Sequence, residues 1–372
     1  MTRHPPSIED ASLRPGDLSP GGVTRSAAPG RVMRADLHVH SYHSGYASHL
    51  RFLRARDCYS EPEEVYRVAK SRGMDIVTLT DHDSIDGCLE FLERHPDADD
   101  FLISEEIECL VPPWPGVPTG GPPLKVHIGA YGIDERIHRE IQPLRANVYE
   151  ATAYLREQGV FFTLNHLFFF LRRQMTLDAY LHALLPLFAA FEVRNGTMLE
   201  AHNTLIEEIV GERARTGQAA IAVGGSDAHT LAGVGTTYTE VRARNRDEFL
   251  QNLRAGLSSV GGRHGGTARV MREIYGVVGR YWASLLGLGR QELSWRRRAV
   301  GLGFSTLSLP AEFTPALVAV IGKAGERRRI DRFRREWGGA GVGAGVGAKA
   351  ASVGPRTQGP PEPAGHVELA SR

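Results

Sequence analysis

Cysteine is scarce in this chain: Cys58, Cys88 and Cys109 are the only three in 372 residues. Their spacing matches neither a zinc finger nor a redox pair, and a disulfide framework is not expected in a chain of this size. Long apolar runs are also missing. No uncharged apolar stretch approaches the ~18 residues of a membrane span, and the best, 313–322, is short and follows Pro310 and Glu312. Nothing before Val32 offers the apolar core of a signal peptide. Net charge is nearly absent too, at +1. These absences predict a soluble protein of the reducing cytosol, with no transmembrane segment and no thiolate metal site.

The small net charge hides a division. Thr267 to Trp337 carries 14 Lys and Arg against 6 Asp and Glu, whereas Asp36 to Gly266 carries 22 against 32. An acidic segment suits a site that must hold several dications. With 42% hydrophobic and 23% charged residues, the chain can bury a sizeable core. The Pro-, Gly- and Ser-rich segment 1–31 and the Gly-, Ala- and Pro-rich tail 338–372 read as unstructured. Between them we expect a main domain over 32–266 and a basic helical extension over 267–337.

Seven short apolar runs each finish in groups that bind metals. Val32 to Val39 contains Asp36-Leu37-His38-Val39-His40, Ile76 to Thr80 precedes Asp81-His82-Asp83, and Phe101 to Ser104 precedes Glu105-Glu106. Lys125-Val126-His127 follows. Then come Phe161 to Leu164 before Asn165-His166, Ala189 to Val193 before Arg194-Asn195, and Ala220 to Val223 before Gly224-Gly225-Ser226-Asp227-Ala228-His229. Polar, periodic, Gly-stopped segments lie between them, such as Glu61 to Lys70, Asp134 to Gln158, Met198 to Thr216 and Arg246 to Ala255. Val270 to Leu286 adds a helical apolar stripe. Alternating strands and helices predict an α/β fold with a parallel sheet. Because almost every strand end contributes, a barrel mouth is favoured over the single switch point of an open doubly wound sheet.

Alternate residues of a strand share a face, so His38 and His40 at a strand end can bind one ion. Asp227 and His229 repeat that geometry after a Gly-Gly pair that lets backbone come close. In Asp81-His82-Asp83 a carboxylate can hold the second ring nitrogen of the ligand. Within the acidic group Glu105, Glu106 and Glu108, one residue can bridge two ions. Imidazole and carboxylate donors suit Mn, Fe or Zn.

These motifs resemble the polymerase and histidinol phosphatase (PHP) superfamily of metal-dependent phosphoesterases. Four regions appear in order: Asp36-Leu37-His38-Val39-His40-Ser41, Thr80-Asp81-His82-Asp83, Asn165-His166 and Gly225-Ser226-Asp227-Ala228-His229. The resemblance spans about Arg34 to Val241. It implies a distorted seven-stranded TIM-like barrel holding two or three divalent ions. By position, His38 and His40 would bind one ion with Asp227, and Glu106 would bridge it to a second held by His127 and His166. A third would take His82, His229 and either Asp57 or His43. Asp57 is preferred because it stands five residues before Pro62, as the family's aspartate often does, although an insertion from Tyr46 to Arg56 disturbs the pattern. Two or three close dications would acidify a water, and a bridging hydroxide would attack phosphorus in line.

Asp81 and Asp83 are candidates for the outer shell, and Arg194, Arg172 and Arg173 for orienting phosphate. Phe168, Phe169 and Phe170 read better as a buried plug than as a stacking surface. The leading expectation is a phosphatase acting on a small phosphorylated substrate, with a nucleotide among the candidates. The alternatives are a 5'-3' exonuclease on short nucleic acids and a non-catalytic, metal-stabilised interaction domain. An amidohydrolase would use a similar barrel, but its usual lysine has no counterpart at these strand ends. Arg296-Arg297-Arg298 and Arg327-Arg328-Arg329 leave contact with nucleic acid or an anionic membrane open, with a solvated helix face the simpler reading.

Overall fold

The structure is a computed structural model that describes residues 30–46, 55–112, 123–169, 176–288, 293–307 and 314–339. Most of both terminal segments, together with Arg172, Arg173 and Phe170, lies outside the described residues.

Among the described residues, nine strands form two sheets. The larger has six strands in the order β2 (Val77–Leu79), β3 (Phe101–Val111), β4 (Leu124–Tyr131), β5 (Phe161–Leu164), β6 (Ala190–Asn195) and β7 (Ile221–Gly225). The smaller is antiparallel, with β8 (Thr237–Ala243) between β1 (Arg31–Ala35) and β9 (Ser258–Gly262). Single bridges join Ala35 to Ile76 and Val39 to Ala228. The segment that follows β1 is therefore flanked by the two ends of the six-stranded sheet.

The α/β architecture is as expected, but the wholly parallel arrangement is not. β2 and β3 are parallel, as are β5, β6 and β7, while β4 runs antiparallel to both its neighbours. β3 does not stop at Ser104. It continues for eleven residues and pairs with β4 as a hairpin, so Glu105, Glu106 and Glu108 lie within a strand. Period two sends Glu106 inward and Glu105 to the other face.

Helices begin where side chains satisfy their exposed N–H groups. α1 (Pro62–Ser71) starts with Pro and two glutamates. After α2 (Asp86–Arg94), the expected single helix over Asp134 to Gln158 is two, α3 (Glu135–Ile141) and α4 (Val148–Glu157), capped by Asp134 and Asn147. A 3-10 turn with Pro143 separates them, because proline lacks the N–H that would continue the first helix. α5 (Leu177–Leu184), α6 (Glu200–Arg215) and α7 (Arg246–Arg254) complete the layer around the sheets.

α8 (Thr267–Leu285), α9 (Trp295–Leu307) and α10 (Thr314–Gly339) follow. α10 runs two residues into the tail expected to begin at Gly338. Its Ile330 and Phe333 belong to the main core, with Leu205, Ile206 and Phe168. Full burial of two such side chains is worth about 1.5–3 kcal/mol each, enough to pin the helix to the sheet-bearing part. No helix among the described residues is long and apolar enough to cross a membrane.

Candidate metal centre

The end of β1 and the end of β7 are stitched together. Asp227 N donates to His38 O at 2.6 Å and His40 N to Ala228 O at 3.1 Å. Buried Asp36 accepts from Ser226 N at 2.8 Å and Gly235 N at 2.7 Å, and burial pushes its carboxyl up to about 6. Glycine is required at 225, where a Cβ would lie 2.6 Å from the His38 nitrogen. Asp83, His166 and Asp227 have φ of 52°, 28° and 53°. This region costs an L residue about 1–3 kcal/mol, and all three positions lie in or beside the cluster of imidazoles.

Glu106 is the hub. Its Oε1 is 3.1 Å from both His38 Nε2 and His166 Nε2, and accepts from Asn165 Nδ2 at 3.0 Å. Its Oε2 is 3.0 Å from His82 Nδ1, 3.2 Å from His127 Nδ1 and 3.7 Å from His40 Nε2. Asp227 Oδ1 lies 3.4 Å from His40 Nε2, 3.6 Å from His38 Nε2 and 3.7 Å from His229 Nδ1. Asp57 Oδ2 adjoins the same group, 3.4 Å from His82 Nε2 and 3.2 Å from His229 Nε2. His43 turns away to Glu90, at 2.8 Å. Of the two alternatives, it is Asp57 that the fold brings to the cluster.

The donor set fits divalent ions. His38 Nε2, His40 Nε2 and Glu106 Oε2 are buried and form no hydrogen bond, a cost natural proteins rarely accept. Among the described residues, four groupings have ligand atoms close enough to share an ion: His40-His82-His229, His38-His40-Glu106, His38-His166-Asp227 and His82-Glu106-His127. Burial alone would raise Glu106, Asp227 and Asp57, but the surrounding imidazoles hold all three carboxylates low. The reverse balance raises His38 despite its burial, through Glu106, Glu192 and Asp227. His40 is pushed down to about 3 by burial and by His229 and His82. Such a cluster binds cations in competition with protons. None of these groupings contains a cysteine, and burial pushes each of the three thiols up to about 12.

One supporting residue escapes a reading of the sequence. Glu192, buried in β6, accepts from His38 Nδ1 at 2.8 Å, from His166 N at 2.9 Å and from Asn195 Nδ2 at 2.9 Å. It thus fixes the ring whose Nε2 faces Glu106. The available signal was an acid inside the apolar run Ala190-Phe191-Glu192-Val193. Glu192→Gln is expected to weaken metal binding about 10–100-fold with the fold retained, measured by metal titration and far-UV circular dichroism.

The residues expected around the metals are placed differently from one another. Asp81 accepts from Ser41 N and Oγ at 2.6 Å each and from Ser44 Oγ at 2.7 Å, while Ser44 Oγ is 3.0 Å from His40 Nδ1. It therefore acts on His40 through the 41–44 turn. Asp83 accepts from Glu108 N at 2.8 Å and pairs with Arg145. Arg194 does not face the cluster. A register shift between Glu192 and Arg194 turns Glu192 and Asn195 inward, and Arg194 donates to Glu207 Oε1 on α6 at 2.7 Å. Arg194→Ala is accordingly expected to change catalytic rate by less than about threefold, since this part-buried side chain is paired with α6 and not with the cluster; steady-state kinetics would check this. Phe168 is buried against Tyr180, His202 and Phe333, whereas half-exposed Phe169 stands 5.2 Å edge-on to the His166 ring.

A family model described as PHP-associated matches residues 220–257, a segment that includes Asp227 and His229. A 58-residue stretch is 40% identical to an uncharacterized protein of Methanocaldococcus jannaschii, covering 16% of this chain and 33% of that protein. The matched stretch thus spans about a third of the relative's length. Among solved structures, one similar protein is a two-domain Bacteroides vulgatus protein containing a predicted PHP-like metal-dependent phosphoesterase. Its TM-score is 0.42 at 17% identity, over 68% of this chain and 75% of that one. PsfC of Pseudomonas syringae gives 0.43 at 18% identity, over 68% and 99%. Four ordered motifs thus converge on one imidazole and carboxylate cluster, and the last of them lies within the segment that the PHP-associated model matches.

Proposed function

We propose that this chain is a metal-dependent phosphoric ester hydrolase that releases phosphate from a small phosphomonoester, with nucleotides among the candidate substrates. The observation that carries the reading is the buried Glu106 carboxylate, within 3.7 Å of ring nitrogens from five histidines. A structural ion pair needs one partner. A carboxylate shared among so many neutralisable imidazoles suits a bridge between dications.

In this reading His38, His40, Asp227, Glu106, His127 and His166 would hold two of the ions, and His82, His229 and Asp57 would hold a third. Bound there, Mn, Fe or Zn would bring the pKa of a coordinated water to about 7 and offset charge on the phosphate oxygens. The chain's own part is orientation: Glu192 sets His38, Ser44 sets His40, and Asn195 and Thr197 donate to Asp227 Oδ2 at 3.2 and 3.0 Å. Residues 32–266 form the hydrolase unit, with the segment after β1 as a seventh stave, supported by its bridges to Ile76 and Ala228.

The test is phosphate release from a panel of phosphomonoesters and short oligonucleotides, using metal-depleted protein reloaded with Mn, Fe or Zn. Chelator-sensitive release of inorganic phosphate from monoesters supports the reading. Mononucleotides released from oligomers would make the chain an exonuclease, and full metal loading with no turnover would make it a binding module.

A further inference from the structure

The helices after the metal centre expose apolar side chains that the proposed chemistry does not use. On α9, Val300 and Leu307 are 68% and 86% exposed. On the first turns of α10, Leu317 and Ile321 are 57% and 61% exposed, on the side away from buried Ala319, and Val320 beside them is 48% exposed. α8 packs against both helices. Isolated apolar residues on a surface need no explanation, but a concentration on two helices that both pack against α8 does.

Charge identifies the occupant. α9 and α10 contain ten Lys and Arg against three acids, Glu326, Asp331 and Glu336. Glu326 is committed to Lys323 and His202, and Glu336 to Arg332 and Leu177 N. Exposed Arg296 and Arg297 precede the apolar turn of α9, and exposed Arg327 and Arg328 follow that of α10. A second copy of this chain would set arginine against arginine. A nucleic-acid backbone would use the arginines and leave Leu317 and Ile321 in water. An anionic bilayer surface satisfies both, because the side chains enter the acyl boundary while guanidinium groups stay at the headgroups.

We propose that α9 and the first turns of α10 dock this protein on the surface of an anionic phospholipid bilayer, lying in the interface without crossing it. The site adjoins the metal centre: one turn after Val320, Lys323 Nζ donates to Thr197 O at 2.7 Å, and Thr197 Oγ1 donates to Asp227. The proposal does not depend on which ester, if any, is cleaved there.

The experiment is co-sedimentation of the full chain with vesicles of phosphatidylcholine alone or with about 30% phosphatidylglycerol, at low and high salt. Binding to the anionic vesicles only, weakened by salt, is expected. The double variant Leu317→Ser/Ile321→Ser should bind about tenfold less while keeping the parent's unfolding transition and metal content. Absence of binding to anionic vesicles overturns the proposal, as does binding that survives the double substitution. A concentration-dependent dimer abolished by the same changes, or a preference for oligonucleotide over vesicles, overturns it in favour of those partners.

Discussion

Glu106→Gln is expected to lower phosphate release by at least about a hundredfold and to remove at least one bound metal per chain. The substitution preserves shape and removes charge. Oε1 and Oε2 face His38, His166, His82, His127 and His40; a neutral amide cannot bridge two cations, and its NH2 would point a donor at groups that must remain acceptors. The apolar clusters that hold the fold do not include Glu106, so the metal-free variant should unfold much as the parent does. Elemental analysis beside a kinetic assay separates this from general damage. A variant that keeps its full metal complement and its rate would remove Glu106 from the centre of the account.

Gly225→Ala should be strongly destabilising and should act directly on the metal centre. Replacing glycine by alanine at a compatible site gains about 0.4–1 kcal/mol through the unfolded state, but here the added carbon meets the His38 nitrogen at 2.6 Å and its Cα at 2.9 Å. Those atoms are backbone and cannot rotate aside. The steric term should win, with a loss of about 3 kcal/mol and detachment of the segment after β1 that carries His38 from the segment after β7 that carries Asp227. Gly211→Ala in α6 is the control, since nothing lies within 4 Å of its added carbon and helix propensity favours alanine by up to ~1 kcal/mol. Denaturant unfolding should move the two variants in opposite directions.

Much of the centre was legible because its chemistry sits in short sequence patterns. The two-residue spacing of His38 and His40 places both on one face of an extended segment, and the Gly-Gly before Asp227 announces a close backbone approach. What could not be read were relations across the fold. Spacing before Pro62 favoured Asp57 over His43 without excluding either, and the packing of the 41–44 turn on Glu90 is what separates them in the fold. Arg194 appeared to follow a strand into the mouth, but the irregularity beside it reversed the faces.

The reversal of β4 had left a trace. The stretch Pro112 to Pro123 contains six prolines and three glycines, which cannot supply the helix that a parallel crossover needs. The alternation in Thr237-Tyr238-Thr239-Glu240-Val241 likewise marks β8, whose threonines and valine are buried while Tyr238 and Glu240 are not. Glu192 is harder. An acid inside an apolar strand signals a buried partner without naming it, and His38 lies far away in sequence.

The most direct test of the account is the number of divalent ions bound per chain after Mn reconstitution, measured by elemental analysis as loading is stepped up and phosphate release followed on the same samples. Two or three ions per chain, with release rising as the second is bound and abolished by chelator, is the predicted result. A single ion or none at saturation, or release indifferent to chelator, would contradict a shared centre built on Glu106.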